Sequence, residues 1–223
     1  MMLSEIQSAP QEFDVIVATD VTLPLLSQYK LLAELDLTKI PNRKFIKKEF
    51  RNIPSDPQGK YGLINTWGTT GFVINTNFVP ADTDSWAVLW DKKYKGKIAL
   101  LDECREAMTA VLKYSHFSLN TTNHQELEIA KENVLLLKDN QVQFADTLGN
   151  LEKVKSGELW IAQVYGGDVA TYAKGRKDIK YVYPKEGFTI IVDNLVISAD
   201  SAHKEEAYQL INFFLEPKNA ALI

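Results

Sequence analysis

Cysteine is nearly absent from the 223 residues: Cys104 stands alone, which excludes an internal disulfide framework and a cysteine-based metal cluster. His116, His124 and His203 show no His-x-x-x-His or His-Glu-x-x-His spacing, so no metal site is expected from them. Catalytic signatures are missing too. There is no Gly-x-Ser-x-Gly elbow, no phosphate-cradling loop and no Gly-x-Gly-x-x-Gly turn, since Gly166-Gly167 lacks the third glycine. The longest apolar runs, such as residues 134–137, fall far short of the roughly 20 residues needed to cross a bilayer, so no direct membrane insertion is expected. The opening stretch Met1-Met2-Leu3-Ser4-Glu5-Ile6 lacks the basic region and apolar run of a secretory signal. Positive charge is in deficit: 25 Lys and Arg stand against 29 Asp and Glu, for a net charge of -4. Nucleic acid is therefore not an expected partner, because affinity for phosphates needs a basic face.

What is present is the composition of a globular chain, 45% hydrophobic and 24% charged, which rules out disordered and fibrous classes. Short β-like runs alternate with helical segments, the pattern of an α/β protein. Residues 13–18 read as a buried strand ending at Thr19-Asp20, followed by a helix over 23–32 with Pro24 in its first turn. Residues 36–60 are irregular. Two extended segments, 61–67 and 71–75, are expected on either side of Gly68-Thr69-Thr70, then a short helix over 85–90 capped by Asp84. A strand over 97–101 leads into helices over 105–113 and 124–138, the second with Leu127, Ala130, Val134 and Leu137 on one face. Further strands are expected over 159–164, 179–182 and 188–197, with helices over 148–155 and 203–215.

Polar and acidic residues recur just past the strand ends, at Thr19-Asp20, Asp102-Glu103 and Tyr165 to Asp168. Ligands of open α/β sheets bind at the carboxyl ends of strands. Glu103 and Glu106 open a helix, where acids also serve simply to complement the helix dipole. Asp168 reads as a helix N-cap or as a group facing a crevice. Asp193 lies inside the apolar run 188–197, where burial of a charge demands a cation or strong donors nearby. Carboxylates beside an aromatic ring such as Tyr165 suit an alkylammonium ligand: the acids take the charged nitrogens, and the ring covers methylenes. Cys104 is a poor nucleophile candidate because Asp102 and Glu103 oppose a thiolate beside them. No catalytic residue and no cofactor is expected.

Longer motifs carry a resemblance. F-D-V-I-V-A-T at 13–19, I-N-T-W-G-T-T-G-F-V-I-N-T-N at 64–77, D-S-W-A-V-L-W-D-K-K-Y-K-G-K-I-A-L-L-D-E-C-R-E-A-M at 84–108, V-Y-G-G-D-V-A-T-Y-A-K-G at 164–175, Y-P-K-E-G at 183–187 and E-E-A-Y-Q-L-I-N-F-F-L-E-P at 205–217 cover nearly the whole chain in order. Together they resemble the periplasmic spermidine/putrescine-binding proteins of ABC importers, which have the type II periplasmic binding fold. The resemblance implies an α/β fold of two lobes with mixed sheets flanked by helices, lobe 1 from 1–70 and 192–223, lobe 2 from 71–191. It implies hinges near 66–71 and 187–193, about which a ligand closes the lobes.

The function implied is non-enzymatic: a monomeric periplasmic protein that captures a polyamine and delivers it to permease subunits. By position the resemblance assigns ligand contacts to Thr19, Asp20, Glu103, Glu106, Tyr165, Asp168 and Asp193. Tyr165 replaces the usual Trp, Val21 stands where some members carry Tyr, and Ile191 replaces an aromatic, so the acids are better kept than the aromatic walls. Members of the family begin with an export signal and a strand–helix–strand unit, and continue beyond the position of Ile223, so the expectation is an internal fragment, incomplete in lobe 1. The competing readings are a receptor for another small cationic amine, an inert fragment, and an acid-dependent hydrolase using Glu103 and Glu106.

Overall fold

The computed structural model describes residues 2–222. In chain order its elements are α1 (Met2–Ser8), β1 (Val15–Thr19), α2 (Thr22–Gln28), β2 (Gly62–Asn75), β3 (Ile98–Leu101), α3 (Cys104–Tyr114), α4 (His124–Leu136), β4 (Gln143–Ala145), α5 (Thr147–Ser156), β5 (Ile161–Tyr165), α6 (Gly166–Tyr172), β6 (Ile179–Val182), β7 (Thr189–Ile197), α7 (Lys204–Phe214) and α8 (Pro217–Ala220). Short 3-10 turns fill much of the rest. The class is α/β, and the chain divides into two compact units: Met1–Trp67 with Ile191–Ile223, and Gly68–Ile190. The boundaries cut β2 and β7.

In the first unit β1 runs antiparallel to β7, from Val15 opposite Ile197 to Thr19 opposite Asp193, and β2 flanks β7 on the other side. Gly62 permits that approach, because a β-carbon there would meet Asn194 Cβ at 3.1 Å and Leu23 Cδ1 at 2.7 Å. The start of β2 is held by the buried Asp56, whose carboxylate accepts the backbone N–H groups of Lys60, Tyr61 and Gly62. Two apolar clusters make the core, one of Ile6, Ile16, Leu23, Leu26 and Val196, the other joining Ile40, Leu63 and Leu195 to Ile211 of α7.

In the second unit the strand order is β6-β2-β5-β3-β4. β2 pairs antiparallel with β5 and β6, whereas β3 runs parallel to both β5 and β4. Phe72, Trp86, Leu100 and Val111 anchor a large core on one side, and Val73, Leu151 and Val164 a smaller one.

Three local expectations are corrected and a fourth is narrowed. The helix expected over 23–32 ends at Gln28, because Lys30 takes a left-handed conformation (φ 59°) and Leu31 N–H returns to the Leu26 carbonyl, a closed C-terminal turn that frees Leu32 to bridge Ser198. The two extended segments around Gly68-Thr69-Thr70 are one strand, since Thr70 and Gly71 already pair with Tyr165 and Val164. The turn at 86–90 is capped by Ser85, whose hydroxyl accepts the Ala87 N–H, while Asp84 pairs with Lys185. Of the face expected over 124–138, Ala130 and Leu137 are buried and Val134 packs against the same core, whereas Leu127 is 39% exposed.

Candidate functional site

The parallel pairing of β3 with β5 places their carboxyl ends side by side in the second unit. Past β3 come Asp102, Glu103 and the first turn of α3 with Glu106; past β5 come Tyr165 and the first turn of α6 with Asp168. Glu106 is buried, Tyr165 and Asp168 are half-buried, and Glu103 is exposed. Asp168 is not the N-cap, a position taken by Tyr165; it sits in the first helical turn. Gln163 clamps the arrangement: its Nε2 donates to the Glu106 carbonyl at 2.7 Å and its Oε1 accepts the Leu101 N–H at 3.1 Å.

These groups feel one another. Burial, then the charges of Glu106, Glu103, Asp168 and Asp102, push the Tyr165 phenol up to about 12. Burial is the larger cause; the carboxylates add to it because like charges nearby disfavour a further anion, so acidic groups gather around the ring. Burial also raises the Asp168 carboxyl above its ordinary 3.8. Among the described residues no Lys or Arg is ion-paired with Asp102, Glu103 or Asp168.

Tyr181, unremarked in the sequence, belongs to the same wall. Its hydroxyl donates to the Thr69 carbonyl at 3.0 Å and lies 3.0 Å from the Thr69 hydroxyl, and burial pushes its phenol up to about 12, with Glu106 contributing. One signal was available: glycine inside a strand marks close approach, and a β-carbon at Gly71 would meet the Tyr181 hydroxyl at 2.8 Å.

In the first unit the β1–β7 register sets Thr19 opposite Asp193, with Asp20 one residue on and tied through its N–H to the Val192 carbonyl at 2.8 Å. Thr19 uses its hydroxyl locally, accepting the Thr22 N–H at 3.2 Å at the start of α2. Asp193 is half-buried, and Thr66 Oγ1 donates to its Oδ2 at 3.1 Å; Thr66 is a second residue the sequence did not single out. The buried polar side chain of this strand is its neighbour Asn194, which donates to the Ala18 and Val192 carbonyls. The seven candidates thus fall into two sets, Thr19, Asp20 and Asp193 in one unit and Glu103, Glu106, Tyr165 and Asp168 in the other. Among the described residues no helix is long and apolar enough to cross a membrane, and no grouping of His, Cys, Asp and Glu could hold a metal.

Two α/β units that the chain enters and leaves through β2 and β7 are the build of a type II periplasmic binding protein. The comparisons agree. A family model described as bacterial extracellular solute-binding protein matches residues 2–223, and the chain belongs to that family. It is 32% identical over 210 residues to a spermidine/putrescine-binding periplasmic protein of Haemophilus influenzae, covering 93% of this chain and 58% of that one. It is 30% identical over 207 residues to the protein of the same description from Salmonella typhimurium, covering 92% and 59%. Among solved structures it resembles a spermidine/putrescine ABC transporter protein from Listeria monocytogenes, with a TM-score of 0.88, 30% identity, and coverage of 99% of this chain and 68% of that one. The chain therefore spans about three-fifths of the length of the curated relatives it matches.

Proposed function

We propose that the chain is a receptor for a polyamine, putrescine or spermidine, which it captures outside the cytoplasm and passes as a monomer to the permease subunits of an ABC importer, catalysing no reaction. The observation that carries this reading is the gathering of acids at the ends of β3 and β5, where Glu106, Glu103, Asp168 and Asp102 bear on Tyr165. An ammonium placed there gains charge-assisted hydrogen bonds from the acids and the face of the ring, and it relieves the repulsion among the acids. Glu103, Glu106, Tyr165 and Asp168 bind in the second unit; Asp193, with Thr66 behind it, Thr19 and Asp20 are the groups of the first. Relatives described as polyamine-binding periplasmic proteins support the substrate class and the location.

Calorimetry of the chain with putrescine, spermidine and spermine tests it. The expected result is micromolar binding, weakened at least tenfold (~1.4 kcal/mol) by Asp193→Asn and by Glu106→Gln, since a hydrogen bond to a charged group contributes roughly 1.5–3 kcal/mol. Absence of binding to every di- or polyamine, or binding indifferent to both substitutions, overturns the reading. A second reading, another small cationic amine, is favoured by the aliphatic Val21, 40% exposed, and Ile191 where the family pattern has aromatic residues; tighter binding of a monoamine than of putrescine would select it.

A further inference from the structure

One stretch of the first unit carries charge opposite to the rest of the chain. Arg43-Lys44-Phe45-Ile46-Lys47-Lys48-Glu49-Phe50-Arg51 holds five cations and one acid, in a chain whose net charge is -4. All five cations are exposed, and among the described residues none of them is in an ion pair.

The segment is built, not loose. Asn42 is fastened to Asn212 of α7 by two hydrogen bonds of 2.9 Å, and Ile46 is buried in the core with Leu63. Arg51 folds back on its own loop, donating from Nε to the Ile46 carbonyl and from Nη2 to the Lys44 carbonyl, both at 2.9 Å. The fold forms a half-open cavity of about 690 Å³ with apolar lining from Leu37 and Leu63 and cationic lining from Arg43, Lys44, Lys48 and Arg51. None of the acids of the candidate polyamine site lines it. Beside it Phe45 is 51% exposed, with Lys44 Nζ lying 5.0 Å from its ring centroid.

We propose that this face of the first unit docks on an anionic phospholipid surface, the cationic cavity taking a phosphate headgroup and Phe45 entering the interfacial layer. Clusters of four to eight Lys and Arg beside an apolar side chain are what anionic membranes attract, each cation adding to the attraction within a Debye length. Arginine and lysine both suit phosphate oxygens, arginine through its planar fork. Two features favour a lipid over a free phosphate: the cavity is several times larger than a phosphate group, and an exposed aromatic ring is of no use to an inorganic anion. The inference does not rest on polyamine binding. Such a surface would hold a receptor against the bilayer without any membrane-spanning segment.

Cosedimentation of the full chain with vesicles tests it. The chain is expected to sediment with 1:1 phosphatidylglycerol:phosphatidylcholine vesicles in low salt, to stay in solution with phosphatidylcholine alone, and to be released when the salt is raised tenfold. Lys44→Glu with Lys48→Glu should weaken partitioning by ~10-fold or more, and Phe45→Ser by a few-fold, with melting temperature and any putrescine affinity unchanged. The salt response of the unaltered chain keeps the test valid should a variant misfold. Failure to sediment with the anionic vesicles, equal sedimentation with neutral ones, or an unaffected double variant overturns the proposal. Full displacement by millimolar glycerol phosphate at constant ionic strength overturns the lipid as ligand in favour of a free phosphate.

Discussion

Gln163 Nε2 donates to the backbone carbonyl of Glu106 at 2.7 Å, so one fully buried amide on β5 holds the first turn of α3, while its oxygen holds the end of β3 through Leu101. Gln163→Leu fills the same space but strands a carbonyl and an N–H in the core. The expected cost is about 2–4 kcal/mol, read from the urea midpoint at constant slope, since each unsatisfied buried group costs roughly 1–3 kcal/mol. Amine affinity should fall as well, because the turn that carries Glu106 loses its tether.

Tyr165 reports the field of the acids. In Glu106→Gln the phenol should titrate below its present value of about 12, while staying above 10 because burial is the larger cause. Ring-carbon NMR of labelled tyrosine follows this directly. Saturating putrescine should move it in the same direction. A raised phenol pKa leaves stability untouched at neutral pH and removes some of it as pH rises from 10 towards 12, because the unfolded chain loses its proton first.

Asp168 should be a liability in the free protein. Its folded carboxyl titrates above the ordinary 3.8 because it is partly desolvated, so the folded state holds the proton more tightly and stability declines as pH rises from 3.8 through the raised value. Asp168→Asn is therefore expected to raise the melting temperature at pH 7, with the gain vanishing below about pH 3.8 where both states are protonated. The same variant should bind amines more weakly. Melting curves across pH check the first statement and calorimetry the second.

Gly71 has no room for a side chain. A β-carbon there would lie 2.4 Å from the Val182 carbonyl oxygen and 2.8 Å from the Tyr181 hydroxyl. Gly71→Ala must push β6 away from β2, an overpacking expected to cost about 1–3 kcal/mol. Separation of the Tyr181 and Thr69 hydroxyls, now 3.0 Å apart, should accompany it, and a crystal structure of the variant checks this.

Much of this was legible in the chain itself. Strands β3, β5, β6 and β7 fall within two residues of where runs such as Ile98–Leu101 and Thr189–Ile197 predict them, because a short apolar run bounded by polar turns has little alternative in water. Asn123 caps α4, its side-chain oxygen accepting the Gln125 N–H. Placing Asp102-Glu103 and Tyr165-Asp168 past strand ends needed only the chain order. The misses share a cause. Gly68-Thr69-Thr70 carries turn residues, yet the ladder from Thr70–Tyr165 onward keeps it extended, and Asp84 gave way to Ser85 because Lys185, a hundred residues on, claims it.

Local residue order, then, determined the α/β class, most element positions and which acids stand at strand ends, since these follow from burial periodicity and end-capping over a few residues. The near-absence of cysteine and of catalytic spacings belongs with them. Tertiary structure alone decided that Tyr165 sits in the field of four carboxylates, that Tyr181 and Gln163 lie against the same strand ends, that Thr66 supports Asp193, and that four cations of a net acidic chain rim one cavity. Charge interactions and close packing act through space between residues tens of positions apart, and no count along the chain contains those distances.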